Sequence, residues 1–181
     1  MKNIQILVAA HKEFPMPKSK GYMPILVGAQ KNYQPGISYQ RDDEGENISE
    51  KNPNYNELTA IYWAWKNLKD VDAVGLVHYR RLFFDKKPYN LENVINIEKV
   101  EQLLQKYDVL LPKKRNYYIE TNYSHYIHAH HKEPLDKTRE IIEKSYPAYL
   151  KAFDKVMKSR KAHMFNMFIM RKELVDEYCS W

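Results

Sequence analysis

The sequence reads Gly75-Leu76-Val77-His78-Tyr79-Arg80-Arg81 where an apolar run meets a cluster of His, Tyr and two Arg. The segment Val71–Val77 is apolar and rich in Val, a pattern that predicts a buried β-strand. Open α/β sheets bind ligands at the carboxyl ends of their strands, where this cluster falls. Because Arg presents a fixed fork of donors that matches phosphate, Arg80 and Arg81 beside His78 predict a site that neutralises a diphosphate without a metal.

The paired arginines also have a second interpretation. Adjacent residues of an extended segment point to opposite sides, so at most one of Arg80 and Arg81 need face a ligand. The other would be a solvated surface charge, and His78 a hydrogen-bonded structural residue. The residues alone leave both interpretations open.

The composition predicts a single globular domain over residues 1–181. With 44% hydrophobic and 13% aromatic residues, the chain can bury one sizeable core. Cys179 is the only cysteine, which excludes an intramolecular disulfide framework, and no secretory signal pattern is present. These features predict a cytoplasmic protein. The apolar stretches are shorter than the roughly 20 residues of a membrane span, so membrane attachment would be peripheral, at the inner face.

The net charge of +6 favours an acidic partner. Nucleotide phosphates, nucleic acid and an anionic lipid surface all satisfy that requirement, and the charge does not choose among them.

Hydrophobic periodicity predicts alternating strands and helices, hence an α/β fold with a mainly helical C-terminal half. The predicted strands beside Val71–Val77 are Ile4–Ala10, Ile25–Gly28 and Asp108–Leu111. The predicted helices are Leu58–Leu68, Ile97–Lys106, Leu135–Lys144, Pro147–Lys158 and Lys172–Trp181. Because the last helix has no terminator, we expect the natural protein to continue past Trp181.

The approach to the first helix carries two further predictions. Asn54 can cap this helix, with Glu57 three residues later in a capping-box position. The acidic segment 40–54 lacks periodicity and is predicted to be a long surface loop of the kind that often borders a site.

Several other motifs point to chemistry but lack the residues that would complete it. The run His125, His128, His130 and His131 invites a zinc site, yet no thiol or His-Glu-x-x-His pattern joins it, so no metal site is predicted. Five glycines, none in a Gly-x-Gly arrangement, argue against a phosphate-binding glycine loop. The pair Asp70 and Asp72 precedes its strand, where a metal-binding Asp-x-Asp would follow, and is predicted to be a turn. Cys179 is predicted to pack rather than react.

A nucleic-acid interpretation rests on the positive charge and 15 tyrosines that could stack on bases. The tyrosines are scattered at core-like spacings, and the basic run 113–115 is only three residues long. We therefore expect no nucleic-acid partner.

Three segments resemble the capsular and exopolysaccharide biosynthesis proteins grouped as domain of unknown function 4422. They are Asn52–Asn67, Gly75–Phe83 and Asn166–Met170, and the resemblance covers nearly the whole chain. It implies a bacterial glycosyltransferase with a GT-A-like (Rossmann-like) nucleotide-sugar-binding sheet flanked by helices. Some relatives are assigned to galactofuranosyl or other hexosyl transfer. The chain departs from the family at Asn56, where members often carry Cys, and by ending where relatives run on through a further helix.

Together, the residues and the resemblance predict transfer of a hexosyl group from a sugar nucleotide, expected to be a UDP-sugar, to a polysaccharide or lipid-linked oligosaccharide. No divalent metal is required by this prediction. The residues expected to bind the donor or its sugar are Ala9, Ala10, His11, His78, Tyr79, Arg80, Arg81 and Asn166. Inversion at the anomeric carbon needs a carboxylate base, for which Asp136, Glu133 and Glu57 are the candidates.

Each role has a structural alternative. Ala9 and Ala10 could form a plain strand exit, Glu57 and Asp136 could only begin helices, and Asn166 could only satisfy backbone groups. For the whole chain, the alternatives are a noncatalytic component of a polysaccharide assembly complex or a nucleic-acid-binding module.

Overall fold

The computed structural model describes residues 3–181, which divide into two compact units. The sheet unit comprises residues 3–112 and Asn166–Trp181, and the helical unit comprises Lys113–Phe165. Because a compact unit is not by itself an independently folding domain, the single domain expected over residues 1–181 stays a prediction.

Eight strands are present in the described residues. They are β1 Ile4–Ala10, β2 Tyr22–Leu26, β3 Gln40–Arg41, β4 Ala73–His78, β5 Val109–Leu110, β6 Arg115–Asn116, β7 Lys161–Ala162 and β8 Phe168–Arg171. Six of them form one mixed sheet in the order β3-β2-β1-β4-β8-β5. Strands β1 to β4 are mutually parallel where they pair, and β8 is antiparallel to both β4 and β5.

Eight helices and two short 3-10 turns complete the described chain. The helices are α1 Ala29–Asn32, α2 Asn52–Tyr55, α3 Leu58–Asn67, α4 Ile97–Leu104, α5 Asn122–Ala129, α6 Glu133–Ser145, α7 Pro147–Lys158 and α8 Lys172–Ser180. The 3-10 turns are Ser49–Lys51 and Leu91–Asn93.

The sheet is buried on both faces, as its parallel central strands require. Alternate residues of β1 point to opposite faces, so Leu7 packs with α3 and α8 while Ile6 packs with α4. Gly75 in β4 permits a close approach, because a Cβ there would lie 2.9 Å from Ile169 Cγ1 of β8. The two central strands, β1 and β4, therefore lie buried between two layers of helices.

The α/β fold with helices flanking a sheet is confirmed. β1 and α7 have the predicted bounds, and β4 lies two residues later at its start and ends at His78 itself. The predicted strand Ile25–Gly28 is β2, which ends at Leu26. The prediction of a mainly helical C-terminal half did not include β8, a strand that is buried between β4 and β5.

The predicted surface loop over residues 40–54 is wrong. This segment contains β3, a 3-10 turn and most of α2, and Asp42 within it is fully buried. The capping box at Asn54 and Glu57 is also wrong. Asn54 lies inside α2, and Glu57 precedes α3 without a side-chain cap bond, because the turn at Asn56, with φ at +49°, separates the two helices.

The helical unit contains α5, α6, α7 and the antiparallel pair β6 and β7. Arg139 of α6 joins Asp154 of α7 by two hydrogen bonds of 2.8 and 3.0 Å. Thr121 and Ser124 form a capping box at the start of α5. Polar contacts therefore join α6 to α7 and define the start of α5.

Within residues 3–181, no helix is both long enough and apolar enough to traverse a lipid bilayer.

Candidate functional site

The carboxyl ends of β1 and β4 lie side by side. Ala9 is opposite His78 in the parallel register, and the Tyr79 N–H donates to the Ala9 carbonyl at 3.1 Å. Ala9 and Ala10 are each 2% exposed, and the Ala10 carbonyl accepts a bond from Val27 N–H at 2.9 Å. The two alanines are thus buried at this edge of the sheet, and their backbone carbonyls bond the neighbouring segments.

His78 is the buried polar residue of the edge. It is 7% exposed, and its Nδ1 lies 3.3 Å from Oε1 of Glu57. A tight turn follows it, in which His78 N–H donates to the Arg81 carbonyl at 3.0 Å and Arg81 N–H donates to the His78 carbonyl at 2.9 Å. This turn brings Arg81 back beside the strand end, which the extended pattern of the sequence did not predict.

The Glu57 carboxylate belongs to this edge rather than to a helix cap. The hydrogen bond from His78 lowers the pKa of Glu57, and the positive charge of Arg81 lowers it further against the opposing effect of burial. Glu57 is therefore ionised at neutral pH, and its carboxylate fixes the orientation of the His78 ring.

The side chains of Arg80 and Arg81 are both exposed. The Arg80 guanidinium carbon lies 4.9 Å from the ring centroid of Tyr79, a cation–π contact, whereas Arg81 acts on Glu57. The two adjacent arginines thus have different surroundings, as expected for neighbouring positions. Both present cationic groups at the end of β4.

An aromatic cluster, defined as His11, Phe14 and Tyr79, lies beside the arginines. The Phe14 and Tyr79 rings are stacked with centroids 3.6 Å apart, and His11 meets the edge of each at 5.7 Å. The Tyr39 hydroxyl bonds both the backbone N–H and the carbonyl of Phe14, at 2.9 and 2.6 Å. Sequence reasoning missed Phe14 and Tyr39, since no local pattern links positions 25 residues apart.

Asp42 is a second residue that the sequence did not reveal. Its carboxylate accepts backbone N–H bonds from Gly28 and Ala29 at 2.8 and 2.9 Å, and hydroxyl bonds from Ser49 and Thr59 at 2.6 Å each. Because its acceptors are occupied by these four donors, Asp42 builds the loops rather than binding a ligand.

The structure brings His11, His78, Tyr79, Arg80, Arg81 and Glu57 together with the alanines of β1. Asn166 is exposed and has φ at +53°, directly after Phe165 with φ at +77°. Glu133 and Asp136 belong to the helical unit, in the first turn of α6, and Asp136 accepts a 2.8 Å hydrogen bond from the Tyr123 hydroxyl.

The histidine run is paired with a carboxylate. Nδ1 of His125 and Nδ1 of His128 lie 2.7 and 2.5 Å from the two oxygens of Glu120, and these bonds lower the pKa of Glu120. Among residues 3–181, no group of three or more His, Cys, Asp or Glu is arranged to hold a metal ion.

Asp70, with φ at +49°, and Asp72 lie in the helix-to-strand connection between α3 and β4, as predicted, and Asp72 accepts the Asn3 N–H at 3.0 Å. Cys179 is half-buried against the core, and burial raises its pKa to about 11. The thiol therefore stays protonated at neutral pH and packs.

Comparisons with known proteins bear on this geometry. The solved apo structure of WbbM, a bifunctional glycosyltransferase, is similar to 99% of this chain with a TM-score of 0.87 and 30% identity. The chain spans 36% of the length of WbbM. No curated protein matches the sequence. The model of the family described as "Domain of unknown function (DUF4422)" matches residues 5–181. The chain therefore belongs to the DUF4422 family.

Proposed function

We propose that this chain is a glycosyltransferase module that binds a sugar nucleotide, a UDP-sugar, at the carboxyl edge of β1 and β4. It transfers the hexosyl group to a capsular or exopolysaccharide chain or to a lipid-linked oligosaccharide. A galactofuranosyl group is one candidate for the hexosyl group that is transferred. The observation that carries the proposal is the 0.87 TM-score similarity to a bifunctional glycosyltransferase over 99% of the chain.

Arg80 and Arg81 are assigned to the diphosphate. Negative charge develops on this group as the bond to the sugar breaks, and fixed cations stabilise it more in that transition state than in the ground state. Two guanidiniums supply the charge compensation that a divalent metal provides in other transferases. The proposal therefore requires no metal.

His78 and Glu57 are assigned to positioning. The lowered pKa of Glu57 makes its carboxylate a weak base, which disfavours Glu57 as the group that deprotonates the acceptor. Its contact with His78 instead suits it to hold the imidazole towards a phosphate oxygen or a sugar hydroxyl. Asp136 and Glu133 remain the proposed candidates for the base.

The aromatic cluster and the alanines of β1 are assigned to the nucleoside. The stacked rings of Phe14 and Tyr79 provide an apolar surface, and Ala9 and Ala10 leave room beside it. Asn166 is proposed to contact sugar hydroxyls. We place the reaction in the cytoplasm, with peripheral contact at the inner face of the membrane where the acceptor is lipid-linked.

A thermal-shift screen against UDP-glucose, UDP-galactose and UDP-galactofuranose, each with and without Mn²⁺, tests the proposal. A ligand present at about 100 times its dissociation constant adds about 2.7 kcal/mol of stability. We expect at least one donor to raise the melting temperature without Mn²⁺.

The double variant R80Q/R81Q tests the role of the arginines. Loss of charge-assisted hydrogen bonds to the diphosphate should weaken donor binding by about tenfold or more while the fold stays intact. The double variant K86Q/K87Q is the matched control, because it removes two adjacent exposed charges of the same sheet unit. Equal affinities for the two variants would contradict the assignment. The absence of any stabilising donor would favour the noncatalytic assembly component.

A further inference from the structure

Tyr118 and Ile119 are the two most exposed large hydrophobic residues of the described chain, at 76% and 86%. They are neighbours in the segment that joins β6 to α5, which we call the exposed turn and define as residues 117–120. A single exposed hydrophobic residue is ordinary on a protein surface, but an adjacent pair at this exposure marks a candidate contact surface. No role proposed above uses the pair.

Hydrogen bonds hold the exposed turn in its shape. Tyr117 N–H donates to the Arg160 carbonyl at 2.9 Å, and Tyr118 N–H donates to the Asn116 side-chain oxygen at 3.1 Å. Ile119 N–H donates to the Tyr117 carbonyl at 2.6 Å. Tyr118 has φ at +57°, a left-handed conformation that bulky residues rarely adopt. The turn is therefore a defined structure that presents both hydrophobic side chains to solvent.

Five exposed cations lie next to this turn, either just before it in the chain or on the segment that pairs with β6. They are Lys113, Lys114, Arg115, Arg160 and Lys161. Within residues 3–181, none of the five forms an ion pair. The carboxylates of Glu140, Glu143 and Asp154 pair instead with cations of α6. The positive charge beside the exposed turn can therefore attract an anionic partner.

The exposed turn itself contains one acidic residue, Glu120. Its two carboxylate oxygens bond Nδ1 of His125 and Nδ1 of His128, both on α5. Each of these imidazoles offsets the carboxylate charge when it is protonated. Glu120 therefore opposes an anionic partner less than a solvated carboxylate would.

A hydrophobic pair flanked by cations matches an anionic lipid surface. Ile119 can enter the boundary of the acyl chains, and Tyr118 can bury its ring while its hydroxyl stays among the headgroups, where tyrosine is enriched in membrane proteins. Flanking Lys and Arg side chains reach the lipid phosphates. Nucleic acid fits less well, because an aliphatic side chain offers no face to a base. The Tyr117 ring already stacks on His125 and has Arg115 over it.

We infer that the exposed turn is a membrane-contact site, at which Tyr118 and Ile119 enter the headgroup boundary of an anionic bilayer and the five flanking cations bind lipid phosphates. The inference deepens the proposed function and rests on it in one respect, the placing of the transferase beside a lipid-linked acceptor. The contact itself requires neither a sugar nucleotide nor an acceptor. Shallow burial and charge attraction make this binding peripheral and reversible.

Co-sedimentation of the full chain with vesicles tests the contact. One set of vesicles contains equal parts of phosphatidylglycerol and phosphatidylethanolamine, and the other contains phosphatidylcholine alone. We expect binding to the anionic vesicles that is about tenfold or more tighter than to the neutral ones and that weakens as salt is added. No binding to the anionic vesicles would overturn the inference. Binding of a single-stranded oligonucleotide without binding of vesicles would assign the cations to nucleic acid and overturn it as well.

The variant K113Q/K114Q tests the flanking charge. Because one cation near an anionic surface strengthens binding by about fivefold, the loss of two should weaken vesicle binding by about 25-fold. The variant K86Q/K87Q is the matched control, since it removes two adjacent exposed lysines from the sheet unit and lowers the net charge equally. Equal losses for the two variants would show that net charge alone acts and would overturn the site.

The variant Y118S/I119S tests the hydrophobic pair. We expect it to bind anionic vesicles about tenfold more weakly than wild type, because it loses the side chains that enter the bilayer. The variant Y107S/L111S is the matched control, since it replaces an exposed tyrosine and an exposed aliphatic residue of the sheet unit. Wild-type binding by Y118S/I119S, with its fold verified by circular dichroism, would overturn the inference.

Tryptophan fluorescence separates insertion from adsorption by charge alone. Lipids with brominated acyl chains quench a tryptophan that reaches the hydrocarbon boundary. We expect vesicle-bound Ile119→Trp to be quenched more than wild type, and Leu111→Trp, which contains the same number of tryptophans, to be quenched no more than wild type. If bound Ile119→Trp is quenched no more than Leu111→Trp, the turn does not insert and the inference fails.

These vesicles contain no saccharide and the binding assay contains no nucleotide, so the result is independent of the donor site. Amide shifts induced by a UDP-sugar at Ala9, His78 and Arg81 report on that site without vesicles. Vesicle binding without such shifts would leave the lipid contact and remove the transferase role. Donor shifts without vesicle binding would do the reverse.

Discussion

The sheet unit and the helical unit are stabilised by different forces. Every buried hydrophobic residue of the described chain lies in the sheet unit, on the two faces of its sheet. In Lys113–Phe165, all of which the structure describes, the one buried residue is the polar Asn122. Burial of apolar surface is the main source of stability in proteins. It therefore stabilises the sheet unit, whereas the helical unit depends on polar contacts.

Charge divides the two units in the same way. The helical unit has 12 Lys and Arg against 6 Asp and Glu, whereas the rest of the chain has 17 of each. The whole net charge of +6 therefore lies in the helical unit. A polar, cationic unit without buried apolar side chains can adapt to a ligand at little cost in packing, whereas a close-packed sheet holds side chains at fixed positions.

A Leu→Ala substitution in each unit tests whether apolar burial stabilises the two units to different extents. Leu76→Ala in β4 empties a fully buried position and should lower the free energy of unfolding by about 3 to 5 kcal/mol. Leu150→Ala, at a half-buried position of the otherwise mostly exposed α7, should cost about 1 kcal/mol or less. Urea denaturation followed by circular dichroism measures both, and equal losses would contradict the division of forces.

A second pair of variants tests the buried Asp42 carboxylate of the sheet unit against a partly exposed ion pair beside it. In wild type, N–H and O–H donors bond both carboxylate oxygens of Asp42. Asp42→Asn replaces one of these acceptors by an amide donor, so we expect a loss of about 2 to 3 kcal/mol. Asp43→Asn disturbs a pair with the partly exposed Arg41 and should cost under about 1 kcal/mol. The same denaturation experiment compares them, and an Asp42→Asn variant as stable as wild type would disprove a structural role for that carboxylate.

The sequence predicted the parts of the fold that follow from local periodicity. The apolar runs of β1 and β4 stand out because strands buried on both faces lack polar interruptions. β8 did not stand out, because its four residues run directly into α8 and are a strand only through pairing with β4 and β5. Asp42 could not be predicted either, since an acidic residue in a polar segment resembles a solvated one until its distant donors are known.

The candidate site was predictable to the same extent. The ends of parallel strands meet at one edge, so His78 and the arginines could be placed near Ala9 and Ala10 from the pattern alone. The contact between Glu57 and His78 could not, because it depends on the break between α2 and α3 that turns Glu57 away from the helix cap.

The smallest effect concerns pH. The lowered pKa of Glu57 means that its ionised form stabilises the fold above its ordinary pKa of 4.5, and that this stabilisation is lost as the pH falls through the lower native value. Glu57→Gln should therefore lower stability by under about 1 kcal/mol at neutral pH, and the difference from wild type should vanish in stronger acid.

Denaturation of wild type and Glu57→Gln at neutral pH and at about pH 3 measures this difference. Glu120→Gln in the helical unit is the control, because Glu120 also pairs with histidines and its pKa is lowered too, but it lies outside the buried core. It should change global unfolding less than Glu57→Gln. A difference for Glu57→Gln that grew on acidification would mean that the carboxylate does not stabilise the edge.

The position of the donor nucleotide is the most direct test of the proposed function. Backbone amide shifts of the full chain on titration with a UDP-hexose would locate it. The account predicts the largest shifts at the strand ends, in residues 9–11 and 78–81, with the helical unit responding less. Shifts centred on the amino ends of the strands, or no shifts at saturating nucleotide, would contradict it.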